Sequence, residues 1–229
     1  MLQVLHEDNH VLGVVKPAGL LVQGDRTGDP TLLEAARAYL KQKYEKPGNV
    51  YVGLVHRLDR PVSGVVVLAR TSKAAARLSR EFRERRVRKV YLAVVLGAPP
   101  AAAGILRAEI AAAPDAAGVS LAAVARFPGS RRAELVYTVV GRSAGRCLLR
   151  VEPRTGRRHQ IRAQLALAGC PVVGDVKYGA PERLPDRSVA LHAWRLEVAH
   201  PVSREAVILQ SPPSTSWPWE EMPAWEDGT

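Results

Sequence analysis

Apolar residues arrive in short runs, and their period changes along the chain. Val11 to Lys16 is nearly all apolar, which predicts a buried strand that Pro17 and Gly19 end in a turn. Asp29-Pro30 reads as a helix start, with Asp at the N-cap and Pro at the first helical position. Leu33, Ala36 and Leu40 then share one face as far as Tyr44, and Pro47-Gly48-Asn49 ends the segment. Val50 to Val55 and Val65 to Ala69 predict strands on either side of a turn-rich stretch. Thr71 or Ser72 caps a second helix, with Ala74, Leu78 and Phe82 on one face. Val90 to Leu96 returns to a strand pattern with Tyr91 near its start.

The second half is less regular. The region from Ala98 to Gly129 is rich in Ala, Gly and Pro, with short possible strands at Ile105–Ile110 and Val119–Val124. Leu135–Val140 and Cys147–Val151 form a predicted hairpin around Gly141 to Gly145. Thr155-Gly156 opens a third helix, with Ile161, Leu165 and Ala168 inward and Gly169 as its stop. Val189–Val198 and Ala206–Leu209 supply the last strands. Strands and helices follow one another without regular alternation, so the expected class is α+β with a largely antiparallel sheet. One domain is expected over 1–211. The tail, 212–229, holds three of the four tryptophans, four prolines and four acidic residues, and its indoles are expected to pack on the domain surface.

Composition narrows the function. A 47% hydrophobic fraction suits a globular chain, and no apolar run approaches the ~20 residues of a membrane span. The N-terminus lacks the pattern of a secretory signal, and Cys147 and Cys170 are too few for a disulfide framework. A cytosolic, monomeric protein is expected. The net charge of +11 points to a polyanionic partner, of which nucleic acid is the first candidate. Only seven of the 33 basic residues are Lys, and Arg suits phosphate forks and stacking on bases. The charge is concentrated from Arg70 to Lys89, at nine basic residues to two acidic. Arg77, Arg80 and Arg83 on the second helix are therefore candidate nucleic-acid contacts.

The candidate chemistry sits between the strands at 50–55 and 65–69. There Asp59 is flanked by Arg57 and Arg60 on a loop marked by Pro61 and Gly64. A carboxylate held among cations is kept ionised and can serve as nucleophile or base. An ion-paired loop aspartate looks the same, and spacing alone favours that plainer reading.

His56-Arg57-Leu58-Asp59 followed by Ser63-Gly64 resembles the catalytic motif of the RluA-type pseudouridine synthases. Lys16-Pro17-Ala18-Gly19 resembles that family's first motif. Lys89-Val90-Tyr91-Leu92-Ala93 resembles the motif with its active-site Tyr, and Thr155 to Arg162 the one with its active-site Arg. Gly174 to Gly179 and Leu191-His192-Ala193 resemble later motifs. Six motifs in order, from about His6 to Pro201, make a specific match.

The resemblance implies a pseudouridine synthase catalytic domain, with a bent mixed sheet, flanking helices and a central basic cleft. It starts almost at Met1, so no N-terminal RNA-binding module is expected before it. It implies isomerisation of uridine to pseudouridine in structured RNA, ribosomal or transfer. No cofactor and no metal are expected. Asp59, Tyr91 and Arg162 are the implied catalytic residues. Asp59 has three routes open: attack at C1′ of the ribose, attack at C6 of uracil, or removal of the C2′ proton. Arg162 is the expected partner of Asp59, while Tyr91 offers a stacking face and a phenol. Arg57 would fill the space left by a flipped base. Lys16, Lys89, Arg157 and His159 are candidate phosphate contacts or structural supports. His56 and His159 are expected to be structural histidines. Val62, Arg158 and Gln164 stand where the family commonly has Thr, Thr or Ser, and His. Two other readings remain: a non-catalytic RNA-binding or assembly factor on the same scaffold, and a basic DNA-binding protein, which no helix-turn-helix, zinc finger or basic zipper supports.

Overall fold

The computed structural model describes residues 2–112 and 119–219. In chain order it contains β1 (Gln3–Glu7), β2 (Val11–Lys16), α1 (Leu32–Lys43), β3 (Gly53–Leu54), β4 (Ser63–Ala69) and α2 (Ser72–Arg83). There follow β5 (Arg88–Leu96), β6 (Ala103–Ala112), β7 (Ser120–Ala123), β8 (Arg131–Ser143) and β9 (Arg146–Pro153). The last elements among the described residues are α3 (Gln160–Leu167), a 3-10 turn at Val176–Tyr178, β10 (Leu191–Ala199) and β11 (Ala206–Gln210). The fold is α+β, and its strand pairing is mixed and largely antiparallel. The chain forms two compact units. The first is 1–89 with 192–213, and the second is 90–191 with the tail from Ser214.

In the first unit the strand order is β1-β2-β4-β10, with β3 also on β4 and β11 also on β10. β4 and β10 run parallel and pair Ser63 with His192 and Gly64 with Ala193. This pairing makes Gly64 obligatory: at φ +123 its backbone is left-handed, and a Cβ would run into the backbone of Ala193. Alternate residues of β4 (Val65, Val67, Ala69) pack on Ala74 and Leu78 of α2 and on Leu196, Val207 and Leu209. α1 starts at Leu32 rather than at Pro30. Thr31 caps it and Glu34 reaches back to Thr31, because Thr-x-x-Glu is a capping box and outcompetes Asp29-Pro30. Asp29 instead pairs with Arg60 at 2.8 Å. Thr71 is the cap of α2. β1 was not foreseen, and of Val50–Val55 only Gly53–Leu54 is strand.

In the second unit the order is β5-β9-β8-β6-β7, all antiparallel. The predicted hairpin at 135–151 is β8–β9, and the two short apolar runs of the Ala-rich region are β6 and β7. α3 starts at Gln160, five residues later than expected. The tail's Trp217 and Trp219 are half-buried. The Trp219 ring lies against Gly141, where a Cβ would come within 2.6 Å of it. Trp225 lies outside the described residues.

Candidate active site

Asp59 sits on the loop between β3 and β4, half-buried. Two things fix this loop from within the first unit. The chain closes a turn, Val62 N–H to the Asp59 carbonyl at 3.1 Å. The loop after β2 then grips it: Gly19 N–H donates to the Arg60 carbonyl at 2.8 Å, and Arg60 Nε returns a bond to the Gly19 carbonyl at 3.0 Å. Lys16 is fully buried beneath both loops. Its ammonium donates to the carbonyls of Pro17 (2.8 Å), Leu20 (2.9 Å) and Arg60 (3.1 Å), and so uses all three of its donors. Burial pushes the Lys16 ammonium down to about 7, with Asp59 pulling the other way and Arg60 adding to the push. Of the two roles foreseen for Lys16, this geometry is that of a support.

The two ends of the loop are anchored by histidines. Val67 N–H donates to His56 Nε2 at 3.0 Å, which requires a neutral ring protonated on Nδ1. That ring stacks on Phe82 at 4.6 Å. Burial, helped by the Lys89 charge, holds His56 down at about 3. His192 donates from Nε2 to the Ser211 carbonyl at 2.9 Å and accepts the Ser63 hydroxyl on Nδ1 at 2.8 Å. Burial lowers it to about 4, against the opposing bond to Ser211. His56 is thus structural in its bonding, as expected. The supporting pair Ser63–His192 was missed, although both residues lie in family-like motifs. Their roles emerge only when β10 is known to run beside β4. Val62 is buried, so the position where Thr is common in the family is here a core contact.

The other candidate groups of the first unit are spread over its surface. Arg57 is exposed beside Asp59 in sequence, and Arg77, Arg80 and Arg83 are exposed on α2. Arg77 also donates to the Pro201 carbonyl at 2.7 Å. Lys89 is half-buried, and burial, with Arg85 nearby, lowers its ammonium below the usual value.

Tyr91 and Arg162 belong to the second unit. Tyr91 opens β5 opposite Val151 and is half-buried. Arg162 is on the first turn of α3, and the loop before it is set by Gln160. That amide accepts from Thr155 Oγ1 at 2.7 Å and from Arg157 N–H at 3.0 Å, and donates to the Glu134 carbonyl at 3.0 Å. This clamp keeps 155–159 out of the helix, which explains the late start of α3. His159, the N-cap, sits at φ +53, a left-handed conformation uncommon outside Gly. Its Nδ1 meets the Tyr178 hydroxyl at 2.9 Å. Arg157 Nε donates to the Arg132 carbonyl at 3.2 Å, and Arg158 is exposed. Gln164 is buried, donating to the Leu106 carbonyl at 2.9 Å.

Arg162 was expected to pair with Asp59. The partner that holds it inside its own unit is Asp175, at 2.6 Å to Nε and 2.8 Å to Nη2. Asp175 lies in a family-like motif without a role, and nothing in the spacing of 13 residues announces the pair. Among the described residues no three of His, Cys, Asp and Glu come together as a metal would require, and no helix is long and apolar enough to cross a membrane.

A family model described as RNA pseudouridylate synthase matches residues 10–167, more than half of the chain. The chain belongs to the RNA pseudouridylate synthase family. The match takes in Asp59, Tyr91 and Arg162 together. Among relatives, a ribosomal large subunit pseudouridine synthase D from Nitrosomonas europaea is 36% identical over 222 residues, covering 92% of this chain and 62% of that protein. The chain thus spans about three fifths of the length of that relative. A tRNA pseudouridine synthase C from Salmonella typhimurium is 32% identical over 235 residues, covering 95% of this chain and 87% of the other. Among solved structures, human RNA pseudouridylate synthase domain containing 4 superposes with a TM-score of 0.76 at 26% identity, over 92% of this chain and 88% of that one.

Proposed function

We propose that this protein isomerises uridine to pseudouridine in structured RNA, with ribosomal or transfer RNA as the substrate class named for its relatives. The observation that carries the reading is the loop of Asp59. A half-buried carboxylate is held there by a backbone turn, a reciprocal Gly19–Arg60 clamp and a lysine with every donor engaged. An ordinary surface ion pair does not need such a mount. A group that must meet one sugar or base atom does, because misplacement by about 1 Å costs on the order of a hundredfold in rate.

In this reading the N1–C1′ bond breaks, the uracil turns, and C5 joins C1′. The reaction is redox-neutral and loses no atom, so its stoichiometry calls for no cofactor. Asp59 provides the ionised carboxylate by any of its three routes. Tyr91 provides a face for the base and a phenol for the proton released from C5. Arg162 provides a fixed positive charge. The target uridine leaves its stack, Arg57 takes its place, and the exposed arginines of α2 bind phosphates. The buried free thiols of Cys147 and Cys170 suit a reducing compartment such as the cytosol.

The test is Asp59→Asn, which keeps the shape and removes the charge. Pseudouridine mapped on cellular RNA incubated with the wild type should vanish with the variant, while RNA affinity stays within a few-fold. Activity within ~tenfold of wild type would remove Asp59 from the mechanism, since loss of an essential nucleophile or base costs far more. RNA binding without new pseudouridine from the wild type would favour the assembly-factor reading.

A further inference from the structure

What fixes Arg162 comes from a turn 13 residues further along the chain. Two of its N–H groups go to Asp175, oxygen for nitrogen, in a fork-to-fork pair. Both side chains are almost wholly buried, at 4% and 1% accessible. A planar guanidinium with Nε and one Nη fixed has a single orientation left. The Tyr178 ring lies against the guanidinium, 5.0 Å from its carbon. Tyr178 is itself tied down. Ser120 N–H donates to its hydroxyl at 2.8 Å, and the hydroxyl meets His159 Nδ1 at 2.9 Å. Asp175 and Tyr178 belong to one tight turn, in which Tyr178 N–H donates to the Asp175 carbonyl at 2.9 Å. The turn at 174–179 is therefore a seat for one side chain on a different element.

Stability is a poor reason for such a seat. A buried ion pair repays its desolvation only when its geometry is excellent, and an apolar pair of similar volume often serves a fold as well. What the pair does supply is orientation. We propose that Asp175 is a positioning residue for the pseudouridine reaction, acting by fixing the plane of Arg162. This rests on the reading of Arg162 as an active-site group. Asp175 acts through Arg162 and not by touching substrate.

The experiment is a double-mutant cycle on single-turnover pseudouridine formation, using Arg162→Lys, Asp175→Asn and the double variant, with RNA affinity measured alongside. Asn fills the same volume but offers one acceptor oxygen, so the fork becomes a single bond. Asp175→Asn should lower the rate constant on the order of a hundredfold, the scale of a lost orientation, with RNA Kd within about threefold. The double variant should be no more than about threefold slower than the slower single, because residues that act as a unit do not add. Multiplied losses would overturn the proposal, as would an Asp175→Asn rate within threefold of wild type while Arg162→Lys is slow. If Arg162→Lys is itself near wild type, the reading of Arg162 fails and the proposal with it. A measurement on the wild type guards against a variant that does not fold. The Nε–H of Arg162, assigned by its absence from the Arg162→Lys spectrum, should exchange with water at least ~tenfold more slowly than surface arginines, as a buried bonded donor must. Exchange at the surface rate would overturn the proposal.

Discussion

Lys16 fixes the carbonyls of Pro17, Leu20 and Arg60 with one ammonium and so ties the two loops of the first unit together from below. Lys16→Met keeps the length and removes all three bonds. The Arg60 carbonyl keeps the Gly19 N–H, so the part-buried carbonyls of Pro17 and Leu20 are the two left without this donor, and at about 1–3 kcal/mol each a loss of at least ~2 kcal/mol is expected. At roughly 2–4 °C per kcal/mol for a chain of this size, melting should fall by about 4 °C or more in a thermal scan. A fall of under ~2 °C would mean that the loops hold themselves. The sequence marks Lys16 as worth naming but not what it does, because its acceptors are backbone atoms, one of them 44 positions away. The same limit hid Asp175. A side-chain pattern announces that a charge exists, and only the fold says which charge it meets. Tyr91 remains legible from its motif alone. Tyr91→Phe should still bind RNA and fail after glycosidic cleavage if the phenol carries the C5 proton. A single-turnover rate for Tyr91→Phe within a few-fold of wild type, with Tyr91→Ala slow, would leave Tyr91 a stacking platform only.

At the scale of elements, the period of the apolar positions located the α-helices and most of the strands among the described residues, and the ends were where it misled. Asp29-Pro30 is a sound helix start in isolation, but Thr31 with Glu34 satisfies two orphan donors reciprocally and wins. Thr155-Gly156 lost its helix to Gln160, whose amide pins the loop instead. β1 escaped because Gln3–Glu7 mixes polar and apolar residues without clean alternation. On α2 the buried face is Ala74, Leu78 and Glu81. Glu81 is answered by Arg86 at 2.9 Å and Arg204 at 3.3 Å, so Arg86, one member of the basic run, is spent on an ion pair within the protein. The exposed arginines make the prediction for this element. Reversing Arg77 would also remove its bond to Pro201, so Arg80→Glu with Arg83→Glu is the cleaner variant. It should weaken RNA binding and flatten the plot of log affinity against log salt by about 0.7–0.9 for each phosphate no longer neutralised. An unchanged slope would mean that α2 faces away from the RNA.

For the whole molecule, the net charge of +11 makes its behaviour in acid a matter of which groups gain protons on unfolding. Burial holds two imidazoles neutral, His56 at about 3 and His192 at about 4. In the unfolded chain both titrate near ~6.5. Between those values the unfolded state binds more protons, so stability falls as pH drops below ~6.5 and levels off under the folded values. For His192 alone the loss between neutral pH and pH 5 is about 2 kcal/mol. Burial would raise Glu7, but bonds from Lys43, Tyr44 and Tyr39 more than reverse this and hold it at about 2. Burial would raise Asp8 too, and the His10 and Val11 amides with His6 bring it to about 2. Those carboxylates contribute fully above about 4.5 and are lost only as pH falls towards ~2. Lys16, lowered to about 7, adds an upward slope only above neutrality, because there the unfolded lysine keeps its proton while the folded one releases it. All these slopes have one sign, so the protein should be more stable at pH 8 than at pH 5, with the losses down to about neutrality coming from Lys16 and those below ~6.5 from histidine. Denaturant unfolding at pH 8, 6.5 and 5 reads the slope, and imidazole NMR titration of the native state assigns it. Native His56 and His192 should show no titration above pH 5, and stability independent of pH from 8 to 5 would mean that both rings take up protons in the fold as easily as out of it.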